Sequence, residues 1–183
     1  SPGIVEHRHR YIMDYFIWYM GRSGPLHSIR RNEDVVEDKG YLTESLAREA
    51  VGFIDRNHDR PFLLYVPFNA PHTPFQVPAA YLDRYPGVQD ENKRVYYAMI
   101  SALDDAVGAI VRKVREAGLE EKTLILFASD NGGAAYTEAT DNAPLKGGKL
   151  THFEGGVNVP FLLSWKGRIA PGTVYRAPVR SEE

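Results

Sequence analysis

The sequence predicts an α/β domain, a mostly parallel sheet flanked by helices, and three observations carry that prediction. Amphipathic helical stretches alternate with short apolar runs, in the order helix, strand, helix, strand, loop, strand. The apolar runs are nearly continuous, as strands covered on both faces are. The side chains with chemistry to offer fall in loops, the first two just after an apolar run, where open α/β sheets collect ligands.

At 183 residues the chain suits one ordinary domain with a real core. A hydrophobic content of 43% with 25% charged residues is that of a globular protein. No stretch approaches the roughly 20 uninterrupted apolar residues of a membrane span. The net charge of −2, with signs interspersed, provides no basic face for nucleic acid. With no cysteine, disulfides, zinc-thiolate sites and cysteine nucleophiles are excluded for these residues. Ser1 to His7 have neither the basic start nor the apolar stretch of a secretory signal, and export is left open.

Residues 1–40 read as an irregular lead-in. Tyr11, Tyr15, Phe16, Trp18 and Tyr19 crowd together there and are expected to pack a loop onto a core. Gly21 to Pro25 marks a turn, and Arg30 to Asp34, charged in both signs, reads as solvated surface. Residues 41–167 form the expected core of the domain. Thr43 is the expected N-cap of a helix reaching about Asn57, with Leu46, Ala50, Phe53 and Ile54 on its buried face. Asp59-Arg60-Pro61 stops it, and Phe62 to Val66 reads as a buried strand. Three prolines then stiffen the loop from Pro67 to Pro74, which holds His72.

A long helix is predicted from about Asp90 to Ala117, with Val95, Met99, Leu103, Val107, Ile110 and Val114 on one stripe and Gly118 just past its end. The apolar run 123–129 predicts a strand that stops at Asp130-Asn131-Gly132-Gly133. A glycine-punctuated loop follows, through Lys149 and Glu154, to a last strand near 159–165. Residues 168–183 read as a truncated tail, so the whole is expected to be a single, incomplete domain.

The run Asp130 to Gly133 supports two readings. These residue types favour a tight turn in their own right; alternatively Asp130 gives a carboxylate and Asn131 an amide oxygen to a hard divalent cation such as calcium or magnesium. Two ligands are too few for calcium, which takes about six to eight oxygens. Lys149 follows Gly147-Gly148, a pair that lets backbone approach a ligand, and its ammonium suits a tetrahedral oxyanion. The spacing is not that of a nucleotide P-loop. His72 is either a structural histidine or, held between Pro71 and Pro74, a proton donor or oxyanion ligand. Asp104-Asp105 project about 100° apart on a helix and read as structural or solvated, and Glu154 as loop scaffolding.

Taken in order, Phe68 to Pro74, Ser101 to Gly108, Ser129 to Gly133, Pro144 to Lys149 and Glu154 to Gly156 resemble the central and later part of the type I sulfatases, close to the arylsulfatase B type, in the alkaline phosphatase superfamily. The resemblance spans roughly Gly40 to Gly167 well and the first forty residues loosely. It implies an alkaline phosphatase-like fold and a calcium-dependent hydrolase of sugar or aryl sulfate esters. Asp130 and Asn131 would be metal ligands, His72 would contact the sulfate and the leaving oxygen, and Lys149 would neutralise sulfate charge. It also implies a periplasmic, secreted or lysosomal setting.

The sequence departs from the family pattern in three ways. The C/S-x-P-x-R motif whose first residue becomes the formylglycine nucleophile is absent, as are the early aspartate pair and the lysine–histidine pair that complete the metal and sulfate sites. The expectation is half an active site, inactive alone and prone to self-association through uncovered apolar surface. The alternatives are a non-catalytic scaffold or interaction domain of the same fold, and a phosphodiesterase or phosphonate hydrolase of the superfamily.

Overall fold

The computed structural model describes residues 4–7, 29–32, 34–35 and 40–179. The aromatic cluster from Tyr11 to Tyr19 and the turn at Gly21 to Pro25 lie outside the described residues.

Strands β2 (Arg30–Arg31) and β3 (Asp34–Val35) make a small antiparallel hairpin. Asn32 turns it in the left-handed region at φ 57°, which a short polar side chain tolerates. Arg31 is exposed and ion-pairs with Glu49 across the surface, as the mixed charge of this stretch suggests.

Helix α1 (Leu42–Asn57) is capped two residues before the expected position. Tyr41, extended at φ −75° and ψ 122°, is the capping residue, and its carbonyl accepts from Ser45 N at 3.0 Å. Thr43 lies inside the first turn and is buried there, so it is not the cap. The buried face comprises Ala47, Ala50 and Ile54, with Leu46 and Phe53 half-buried beside them. The turn of the chain after it is fixed by Asn57, which donates to Phe53 O at 2.7 Å and accepts from Arg60 Nε at 3.0 Å.

The next segment differs from the expected buried strand. Residues 62–66 form no ladder with any described strand, and alternate side chains face opposite ways. Phe62 packs edge-on against Phe53 at 5.6 Å, whereas Leu63 and Tyr65 are 91% and 82% exposed. Leu63 and Tyr65 are apolar enough to read as buried, yet no described element covers their side.

Strand β4 (Phe75–Pro78), unforeseen between the prolines, pairs antiparallel with β1 (Ile4–His7), and the one-turn helix α2 (Ala79–Leu82) follows directly. Helix α3 (Glu91–Glu116) runs as predicted. Asp90 caps it by accepting from Lys93 N at 3.0 Å, and Gly118 takes the left-handed φ of +69° past its end. Helix α3 packs on α1 and on β4. The core gathers Phe75 and Val77 with Val95, Ala98, Met99 and Ala102, and two residues of site-bearing loops, Ala70 and Ala139, are buried in the same cluster. Those two alanines tie the loops to the scaffold.

Strand β5 (Ile125–Ala128) pairs antiparallel with β6 (Phe161–Ser164), with Ala128 opposite Phe161. All three strand pairs among the described residues are antiparallel, so the parallel majority inferred from alternating helices and strands is not represented in them. The physical reason is local. Residues 62–66 form no ladder among the described residues, and the described partner of β5 is the strand returning from the glycine loop. That return leaves the loop, and the one-turn helix α4 (Glu154–Val157) within it, standing over one end of the ribbon.

Candidate active site

His72 is fixed by its loop before any ligand is considered. Ala70 is buried in the core and His72 N donates to Asn69 O at 2.8 Å. The peptide bonds Ala70–Pro71 and Thr73–Pro74 are cis. His72 Nδ1 lies 2.7 Å from Thr73 O. A carbonyl only accepts, so Nδ1 carries the proton and Nε2 presents a lone pair. That lone pair faces Lys149 Nζ at 2.7 Å, and the ammonium is the donor.

Asp130 and Asn131 stand where β5 ends. Ser129 N donates to Pro160 O at 3.1 Å, extending the ribbon by one bond, and Ser129 Oγ donates to Asn131 O at 2.9 Å. Neither the Asp130 carboxylate nor the Asn131 side-chain amide has a hydrogen bond or ion pair among the described residues. Their oxygen donors are free for a ligand. The next residues are locked in place: Gly132 N donates to Gly156 O at 2.9 Å, and Asn142 binds Gly133 with both ends of its amide, each at 2.9 Å.

Glycines bring the Lys149 loop against this corner. A Cβ on Gly148 would sit 2.5 Å from both Gly133 O and Asn142 Nδ2, and one on Gly155 would sit 2.3 Å from Gly147 O. Gly148 and Gly155 thus admit protein backbone from across the loop. The close approach lets Lys149 N donate to Gly133 O at 3.1 Å. Of the two lysines in the loop, Lys146 lies over the Phe153 ring at 4.2 Å, which leaves Lys149 to reach His72.

The structure thus joins His72 to Lys149 directly and joins Lys149 to the Asp130-Asn131 corner through Gly133. The other acidic candidates stay apart, as expected. Asp105 pairs with Arg84 at 2.7 Å, a hydrogen bond that holds its carboxyl below the usual range, and Glu154 is an exposed residue opening α4. Asn142 and the carbonyls of Thr73 and Gly133 were not foreseen. The carbonyls leave no trace in a sequence, and Asn142 stands in an ordinary-looking turn.

For a metal, the chemistry of the donor set decides. A carboxylate and an amide oxygen, both unpartnered, suit a hard cation. No group of three or more His, Cys, Asp or Glu among the described residues could hold a metal ion by itself. The donors of the corner suit part of the shell of a hard cation, and the described residues do not complete it.

The Sulfatase family model matches residues 8–183. The chain belongs to the sulfatase family, in the alkaline phosphatase superfamily. It is 34% identical over 167 residues to the uncharacterized sulfatase YdeN of Escherichia coli (strain K12), covering 87% of this chain and 30% of that protein. It is 36% identical over 151 residues to the steryl-sulfatase of Mus musculus, covering 77% of this chain and 23% of that protein. Among solved structures, that of Ps i-CgsB in complex with k-i-k-neocarrahexaose superposes with a TM-score of 0.75 at 34% identity, over 86% of this chain and 36% of the other. The sulfatase chain described here thus spans about a third or less of these relatives, and its fold is the alkaline phosphatase-like α/β fold they share.

Proposed function

We propose that the chain forms one wall of a sulfatase active site and acts in hydrolysis of sulfate esters. The observation that carries this reading is the 2.7 Å contact between Lys149 Nζ and His72 Nε2, made where the Lys149 loop also touches the Asp130-Asn131 corner. The wall offers one cation, one imidazole and two free oxygen donors, which matches the needs of a sulfate ester.

Lys149 neutralises the sulfate as charge moves onto its oxygens, an electrostatic term in which one preorganised donor is worth roughly 10²–10³ in rate. The Lys149–His72 pair holds a proton between Nζ and Nε2. As the S–O bond breaks, that proton passes to the leaving oxygen, so the alcohol departs neutral. The Thr73 carbonyl keeps the ring oriented for this transfer. Asp130 and Asn131 would hold calcium as two of its oxygen ligands, and the bound ion would supply Lewis acidity toward a sulfate oxygen. The nucleophile, a formylglycine by family resemblance, and the remaining metal ligands come from an N-terminal segment of the complete protein. A periplasmic, secreted or lysosomal location accords with this reading.

The names of the relatives span aryl, steryl and sugar sulfates and do not choose among them. The test is an assay of the isolated chain and of the complete protein on an aryl sulfate with calcium. Turnover by the complete protein alone is the expected result. Saturable turnover by the isolated chain would contradict the half-site, and no turnover by either would contradict the enzyme.

A further inference from the structure

Lys149 rides on a turn that one neighbouring side chain staples shut. Gly148 to Thr151 form a β-turn with Lys149 in its second position, closed by Thr151 N donating to Gly148 O at 3.0 Å. The Thr151 hydroxyl adds two more bonds to the same glycine. Its Oγ donates to Gly148 O at 2.7 Å and accepts from Gly148 N at 3.1 Å. Thr151 therefore holds both the N–H and the carbonyl of the residue from which Lys149 projects.

The third position of the turn shows why three bonds are needed. Leu150 takes φ 72°, a left-handed backbone that a turn of this kind reserves for glycine or asparagine. Its side chain is 85% exposed, so burial does not offset the strain. Such backbone persists only where its surroundings over-determine it. Thr151 is in turn fitted between the two arms of the loop: a Cβ on Gly147 would lie 2.5 Å from Thr151 Oγ, and one on Gly156 would run into Thr151 O. Gly156 O is the acceptor of Gly132 N, and Gly133 O is the acceptor of Lys149 N. The staple is thus continuous, on both arms, with the glycines that follow Asn131.

We infer that Thr151 is the positioning residue of Lys149, a role that rests on the sulfatase reading and adds a residue to it. Thr151 acts through the lysine and not on the ester. A lysine side chain is long and flexible, so its aim at His72 depends on where the backbone starts it. Without the hydroxyl, Leu150 relaxes out of the left-handed region and the peptide planes on either side of Lys149 rotate. The ammonium then stays near the sulfate but leaves His72 Nε2. Ground-state attraction survives that change better than the aim at charge developing in the transition state, so the loss falls on kcat.

Steady-state kinetics of the complete protein on an aryl sulfate with calcium test this. Thr151→Val keeps the shape and removes the hydroxyl, and kcat should fall roughly tenfold or more while KM changes far less. Thr151→Ser keeps all three bonds and should stay within about threefold of wild type. In a Lys149→Met background, Thr151→Val should cost nothing further, because its effect runs through the lysine. Thr151→Ala crowds the glycines less than valine does, should give the same losses, and serves where the valine variant does not fold. Equal losses in the wild-type and Lys149→Met backgrounds mark a merely structural threonine and overturn the positioning role. A kcat untouched by removal of the hydroxyl, or a serine variant as slow as the valine or alanine one, overturns it too. Lys149→Met with the wild-type kcat contradicts the sulfatase reading itself.

Discussion

Lys149 Nζ and His72 Nε2 stand 2.7 Å apart although 77 residues separate them in sequence. Neither residue alone distinguishes a catalytic wall from a loop. Together they set a protonation pattern: Nδ1–H points to Thr73 O and the ammonium donates to Nε2.

On the proposed reading the two act on one proton, so their losses should not add. In the complete protein, His72→Ala and Lys149→Met should each lower kcat roughly 10²–10³-fold, and the double variant should be little worse than the poorer single one. A double-mutant cycle on kcat reads the coupling.

Gly148→Ala should dismantle the corner without touching a catalytic side chain. The added methyl meets Gly133 O and Asn142 Nδ2 at 2.5 Å, and backbone on one side cannot yield. The cost should be about 1–3 kcal/mol in chemical denaturation. Affinity for inorganic sulfate should fall with it, since Lys149 loses its bond to Gly133.

Asp130 should govern calcium. In the complete protein, Asp130→Ala should raise the calcium concentration that supports half-maximal activity by at least roughly tenfold. A calcium titration of the rate checks this, and an unchanged titration removes Asp130 from the metal site.

Glu120 supplies a pH signature away from the site. It accepts from Lys166 Nζ at 2.8 Å and Arg115 Nε at 3.0 Å, pinning the end of α3 to the chain after β6. The Lys166 bond first, then that of Arg115, holds the Glu120 carboxyl below the usual range, and Glu120 in turn raises Lys166. A depressed carboxyl stabilises above its unfolded pKa and loses that contribution as pH falls through the folded value. The raised ammonium stabilises below the ordinary lysine range and loses its contribution as pH rises through the folded value. Glu120→Gln should therefore show a small Tm deficit across neutral pH that disappears in acid. Salt should shrink it, because all three groups are solvated.

The helices were legible because periodicity and caps are local. Asp90 and Gly118 bound α3 in sequence as they do in space, whereas α1 is capped at Tyr41 with no side-chain bond and holds Thr43 inside its first turn. The strands were less legible, since pairing is set by distant partners. The run 62–66 has the composition of a strand and no ladder, and Phe75–Pro78 forms one despite ending in a proline. His72, Asp130, Asn131 and Lys149 stood out as residue types in loops. Their assembly did not, because it depends on glycine contacts and carbonyls that composition does not reveal.

The most direct measurement is the hydrolysis rate of matched sulfate and phosphate esters by the complete protein, with and without Lys149→Met. A sulfatase wall predicts preference for the sulfate ester and a loss of roughly 10²-fold or more in kcat on substitution. Preference for the phosphate ester, or a sulfatase rate untouched by the loss of Lys149, would contradict it.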